Sequence, residues 1–210
     1  MVNKYLRLLR PVILMAALAV PGQAQDLTKT LLTIVERLMG AQNLRTVQYS
    51  GSGSSYNEKG EHSIVTSYSR QLGLSAGTSS LEVVRKQGAP TSTSVTPGSP
   101  WNTQVDFLLT PYGFLKGAMA NNATREIKKI GEEQYKIISF TAPGNHTVVG
   151  YINGKNMVER VDAHLDDGML IQRIFREYED FGGLKAPTIV IEKRAEMLSL
   201  VVIIKEAKGS

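Results

Sequence analysis

The chain of 210 residues contains no cysteine. Disulfides cannot brace it, a thiolate cannot act as its nucleophile, and no cysteine follows the N-terminal apolar segment to carry a lipid anchor. Histidine is scarce, with His62, His146 and His164 the only three. A dinuclear zinc hydrolase needs more histidine ligands than that. Positive charge is never clustered beyond a pair such as Lys128-Lys129, so nucleic-acid binding has no electrostatic footprint. After residue 20 no apolar run approaches the roughly 20 residues of a membrane-spanning helix, and no integral membrane segment is expected there.

What is present begins with an address. Lys4, Arg7 and Arg10 precede the apolar run VILMAALAV, and Gly22-Gln23-Ala24 supplies the small residues of a cleavage site. Residues 1–24 read as a signal peptide removed after Ala24, which predicts a periplasmic or secreted protein. The whole chain carries a net charge of +5. Three of its 24 basic and none of its 19 acidic residues precede Gln25, leaving 21 against 19, or +2. Residues 25–210 suit a single domain.

That domain opens with Leu27, Leu31, Ile34, Val35, Leu38 and Met39 at helical spacing, with Asp26 as the expected cap and Gly40 near the end. The period then changes to that of strands. Segments 46–51, 63–70, 80–86, 134–140, 147–152, 157–165, 173–181, 184–194 and 198–206 are rich in β-branched and aromatic residues. Short turns such as Asn57–Gly60, Asn153-Gly154 and Gly182-Gly183 separate them, so the strands should pair as antiparallel hairpins. Residues 87–104 are rich in Pro, Ser and Thr and read as a long exposed loop ending near Trp101. A proline-started helix is expected from Pro111 to Ala120, stopped by Asn121 and Asn122. One large sheet with helices on one face accounts for this order.

Residues 151–167, YINGKNMVERVDAHLDD, gather Glu159, Asp162, His164, Asp166 and Asp167, which raises the question of a metal or proton-transfer site. On a strand, Val161, Ala163 and Leu165 share one side and Arg160, Asp162, His164 and Asp166 the other. The apolar set takes the core, so the acidic row is expected to face water and to pair with Arg173 or Arg176 of the next strand. A small metalloenzyme using Asp162 and His164 would need a third ligand that nothing in the sequence identifies. No activated nucleophile is visible either, and no enzyme activity, catalytic residue or cofactor is expected.

The stretches NLRTVQYSGSGSSYN, TPYGFLKGAMANNAT, YINGKNMVERVDAHLDDGML and REYEDFGGLKAPTIVIEK resemble the region in front of the zinc domain of secreted bacterial metallo-β-lactamase-fold hydrolases. That region is itself similar to the outer-membrane lipoprotein carrier (LolA-like) fold. The resemblance covers roughly residues 43–206. It implies an α+β fold: a single curved antiparallel sheet, a half-barrel of about 9–11 strands, with an N-terminal and a mid-chain helix packed on the concave side. No HxHxDH motif occurs in these 210 residues, so the hydrolase activity of such relatives is not expected of them.

The resemblance implies a binding module for a lipid, a lipoprotein acyl chain or another hydrophobic ligand. The residues expected to line an apolar cavity are Trp101, Phe107, Leu108, Tyr112, Phe114, Leu115 and Met119. The alternative is a stand-alone interaction or substrate-presenting domain that acts with a separate hydrolase.

Overall fold

The structure, a computed structural model, describes residues 21–210. The basic and apolar parts of the expected signal peptide therefore lie outside the described residues. Three helices and eleven strands follow: α1 (Pro21–Leu38), β1 (Thr46–Tyr56), β2 (His62–Gly73), β3 (Thr78–Arg85), β4 (Thr91–Val95), α2 (Trp101–Leu108), α3 (Pro111–Ala120), β5 (Thr124–Ile130), β6 (Glu133–Ala142), β7 (His146–Ile152), β8 (Val158–His164), β9 (Leu170–Asp180), β10 (Lys185–Arg194) and β11 (Met197–Gly209).

All strands belong to one open antiparallel sheet in the order β4-β3-β2-β1-β11-β10-β9-β8-β7-β6-β5. Two meanders meet where β1 pairs with β11, so β4 and β5 end up at opposite edges. The chain between them must cross the width of the sheet, and α2 and α3 make that crossing over one face. Backbone pairing aligns Ile138, Gly150, Val161, Arg173, Glu192 and Leu200 in a row beneath them. Most side chains around that row are apolar and buried, from Val47 and Leu72 on one side to Phe140 and Val148 on the other. An ion pair, Arg173 with Glu192, sits in the middle of it.

The mid-chain helix has the boundaries its sequence predicts. Thr110 is its N-cap, its hydroxyl accepting from the Gly113 amide at 3.0 Å, and Pro111 occupies the first turn where no amide hydrogen is needed. Asn122, at φ +48°, ends it.

Several expectations are corrected. Asp26 lies inside α1 rather than capping it. The buried stripe of α1 is Thr28, Leu31, Leu32, Val35 and Glu36, continued by Met39 just past its end, while Leu27, Ile34 and Leu38 are 54%, 41% and 39% exposed. Two overlapping apolar stripes fit helical spacing, and in the observed rotation Glu36 pairs with Lys116 of α3. Residues 87–104 are not one exposed loop. Thr91–Val95 pairs with β3 as an edge strand, and Trp101 is buried at the start of α2.

Strand β5 was also not expected. It borders only β6, all seven of its residues are exposed, and so it needs no apolar stripe. The β7–β8 turn is not a two-residue Asn-Gly hairpin. Asn153 accepts the Lys155 and Met157 amides on its side-chain oxygen, both at 3.0 Å, and Asn156 rather than Gly154 takes the left-handed conformation.

Gly40 ends α1 at φ +69°, with its amide bonded to the Arg37 carbonyl and the Ala41 amide to the Glu36 carbonyl. A Cβ there would stand 1.8 Å from the Gly183 carbonyl oxygen. Gly40→Ala is therefore expected to cost more than about 1 kcal/mol. In a chain of this size each kcal/mol lowers the thermal midpoint by roughly 2–4 °C. A melting curve superimposable on wild type would show that α1 does not need this close approach.

Candidate functional site

The expected cavity residues belong to the two crossing helices, and their positions follow from the crossing. Phe107, Tyr112, Phe114 and Leu115 are buried, and Leu108 and Met119 are partly buried against the same core. The Phe114 ring lies over Gly150, where a Cβ would meet its Cζ at 2.1 Å, and its centroid is 5.9 Å from that of Phe140. Gly117 lets Leu108 and Phe140 approach α3 in the same way. The Tyr112 hydroxyl donates to the Lys185 carbonyl at 2.9 Å. Trp101 donates from Nε1 to the His164 carbonyl at 2.7 Å, and its ring stacks on His146 with centroids 4.2 Å apart.

On its other side α2 is held by charge. Asp106, in the sixth position of α2, receives Arg70 Nη1 at 2.5 Å and Nη2 at 3.1 Å. Arg173 reaches the same carboxylate through Nη2 and the Asp106 carbonyl through Nη1 at 3.1 Å. Arg173 Nε also donates to Glu192 at 2.8 Å, and Arg194 Nε to the other Glu192 oxygen at 2.9 Å. Tyr68 and Ser79 complete the Arg70 donors at 2.8 and 3.1 Å. One carboxylate thus ties α2 to β2 and β9, strands with three others between them.

Side-chain exposure is 1% at Arg70 and 7% at Arg173, so neither cation has water to fall back on. Burial alone would raise the Asp106 carboxyl, but the Arg173 and Arg70 guanidiniums outweigh it and hold the group far below the usual carboxylate range. Glu192 is lowered on the same balance, burial opposed by Arg173 and Arg194.

None of this network was anticipated, although a signal existed. Arg70 falls on the same strand phase as the apolar Tyr68 and Leu72, and Asp106 interrupts the apolar run Val105-Phe107-Leu108. A charge in an apolar phase asks for a buried partner.

Asp106, Arg173, Glu192 and Arg194 of this network line a cleft of about 800 Å3 between α2 and strands β1–β4 and β9–β11. Asn102, Thr103 and Asp106 line it from α2, and the seven residues expected around an apolar cavity do not.

The acidic row of β8 has a different setting from the one expected. Asp162 is buried, because Arg160 of its own strand folds over it with Nη2 at 2.5 Å while resting on the Tyr151 ring. Gln172 adds a donor at 3.4 Å. Arg173 turns to the helix face, and Arg176 pairs with Glu159, so neither joins the aspartates. The His164 side chain is exposed, and Asp166 lies 3.6 Å from His146. Among the described residues no group of three or more His, Cys, Asp or Glu side chains could hold a metal ion.

The architecture has known counterparts. The chain superposes on a LolA superfamily protein from Nitrosomonas europaea with a TM-score of 0.55 at 10% identity, over 86% of this chain and 92% of that one. A domain assigned to outer membrane lipoprotein sorting, from Vibrio parahaemolyticus, gives 0.51 at 7% identity, over 91% and 94%. At these identities the likeness establishes a LolA-like fold. No protein-family model and no curated protein matches the chain.

Proposed function

We propose that this LolA-like chain is a non-catalytic binding module of the periplasm or cell exterior. It would hold a lipid, a lipoprotein acyl chain or another hydrophobic molecule between its sheet and the α2–α3 pair. The observation that carries this reading is the crossing itself. An apolar helix pair packs on one face of an open sheet, tied to it by side chains, the Asp106 ion pairs among them, and not by strand pairing. Trp101, Phe107, Leu108, Tyr112, Phe114, Leu115 and Met119 would then be the side chains a ligand displaces or joins. A sheet curved into a half-barrel would wrap such a ligand on its concave side. Among the described residues no helix is long and apolar enough to cross a membrane.

The energies suit reversible exchange. Freeing four large apolar side chains from the sheet costs roughly 6–12 kcal/mol, at about 1.5–3 each. An acyl chain of about twelve methylenes returns roughly 10 kcal/mol, at about 0.8 each. The two are of similar size as long as the Asp106 ion pairs that hold α2 stay closed.

Trp101 reports on the exchange, because it is the only tryptophan and begins α2. Native mass spectrometry of protein purified from a periplasm should show lipid-sized adducts, and titration with a long-chain fatty acid should shift Trp101 emission saturably. Adduct-free protein with unresponsive emission would overturn the reading. A filled interior, with the Phe114 ring against Gly150, instead favours the interaction-domain alternative. That alternative predicts a stable complex with a separately encoded hydrolase and an unchanged interior.

A further inference from the structure

The cleft lined by Asp106 contains three arginines, and two of them have carboxylate partners: Arg173 has Asp106 and Glu192, and Arg194 has Glu192. Arg85, the last residue of β3, is different. Its Nε donates to the Ser55 hydroxyl at 3.0 Å and its Nη1 to the Thr91 hydroxyl at 3.1 Å, and no carboxylate among the described residues lies within ion-pair distance of it. A guanidinium has five N–H donors, so three remain, all of Nη2 included. Arg85 is half-buried, which partly strips its water without supplying a counter-charge.

The two hydroxyls amplify this arrangement. Each spends a lone pair on Arg85, which leaves the O–H of Ser55 free to turn into the cleft; the Thr91 hydroxyl makes only a long contact of 3.5 Å to the Val83 carbonyl. Ser63, Thr93 and Thr103 add further hydroxyls to the walls, and His62 stands at the rim. Glu61, the remaining carboxylate of the cleft, is exposed and held at 2.7 Å by Asn57. A planar cationic fork flanked by hydroxyl donors matches the oxygens of a phosphate or carboxylate. A second cleft of about 530 Å3 shares Tyr56, Asn57, Glu61, Arg194 and Ser199 with this one and adds Met169, Met197 and Leu198 beside Glu58 and Lys59.

We propose that this cleft binds an oxyanion group, phosphate or carboxylate, on the Arg85 guanidinium beside the Ser55 and Thr91 hydroxyls, in a site separate from the α2–α3 interior. The methionine-lined extension would accept an apolar substituent on that oxyanion.

The test is calorimetric titration of the purified chain at low salt with inorganic phosphate and, separately, with dihexanoyl phosphatidate below its micelle concentration. Saturable binding that Arg85→Gln weakens about tenfold or more supports the site. Equal affinities for the two probes identify the phosphate group alone as what is recognised, and tighter binding of phosphatidate identifies a lipid headgroup. Absence of saturable binding to both probes overturns the proposal, as does binding that Arg85→Gln leaves unchanged. Phosphatidate binding that survives the substitution overturns the Arg85 site while agreeing with acyl binding in the interior, so the two readings fail separately. Should the variant not fold, the Arg85 Nε–Hε resonance of the wild-type chain decides the matter, since phosphate must shift it saturably.

Discussion

Asp106→Ala is expected to destabilise the chain by about 3–5 kcal/mol, because it leaves two buried guanidiniums without their shared counter-ion. Arg173 keeps Glu192, whereas Arg70 keeps only neutral acceptors, the Tyr68 and Ser79 hydroxyls and the residue-106 carbonyl at 3.5 Å. Most of the loss should therefore be recovered by removing the orphan as well, in the double variant Asp106→Leu with Arg70→Met. Replacing a buried ion pair by apolar residues of similar volume is often close to neutral. Urea unfolding of the three proteins checks this. A single-site loss below about 1 kcal/mol, or a double variant no better than the single, would mean that water reaches Arg70 and that α2 is not clamped as described.

The same group sets a pH dependence whose sign is fixed. The folded carboxyl lies far below its unfolded value, so the unfolded chain binds the proton first as pH falls. Asp106 therefore contributes fully above the unfolded carboxylate pKa of about 3.9, and its contribution declines only as pH drops below that toward the depressed folded value. Glu192 acts in the same direction. Asp106→Asn, which keeps the shape and removes the titration, should flatten the acid limb of stability against pH. An acid limb as steep as that of wild type would assign the acid sensitivity elsewhere.

Phe114→Ala is the second large effect, at about 3–5 kcal/mol for a fully buried aromatic whose site cannot collapse. Collapse is blocked from beneath, since the ring rests on the backbone of Gly150 at the centre of β7, and strand pairing on both sides holds that backbone. The void would be apolar and dry, able to take up a small aromatic molecule. Benzene should therefore raise the thermal midpoint of the variant and leave wild type unchanged.

The opposite substitution tests the same contact. Gly150→Ala places a methyl against the ring and should cost about 1–3 kcal/mol by overpacking. Combined with Phe114→Leu it should cost less than the two separately, because the smaller side chain makes room. Strict additivity would show that the ring and the glycine do not touch in solution.

How much of this was legible in the sequence depended on how local each signal was. The mid-chain helix was readable to the residue because Thr110, Pro111 and Asn121-Asn122 act within one turn of themselves. Nine strands were readable because alternation and turn residues recur every few positions. The two edge strands were not, since a strand with one neighbour needs little apolar surface: Thr91–Val95 buries only Val95, and Thr124–Ile130 buries nothing. Helix α2 escaped notice because its two turns, ending just before the Thr110 cap, leave too short a window for periodicity. The stripe of α1 was ambiguous because two apolar stripes fit the same spacing, and packing buried the one with Leu31, Leu32 and Val35.

The sequence by itself determined the strand-rich class, the antiparallel hairpins, the limits of α3 and the absence of thiol chemistry, because backbone propensity, capping and composition act within a few residues. Only the tertiary structure decided that β1 joins β11, that α2 and α3 span the face between opposite edges, and that Arg70, Asp106, Arg173 and Glu192 meet. Residues 36, 67 and 19 positions apart in the chain contribute to that one network. Their encounter depends on the strand order of the whole sheet, and no local window contains it. Arg85 stands at the same boundary. Its charge is written in the sequence, but that it alone among the cleft arginines has no carboxylate partner is a property of where the other side chains fold.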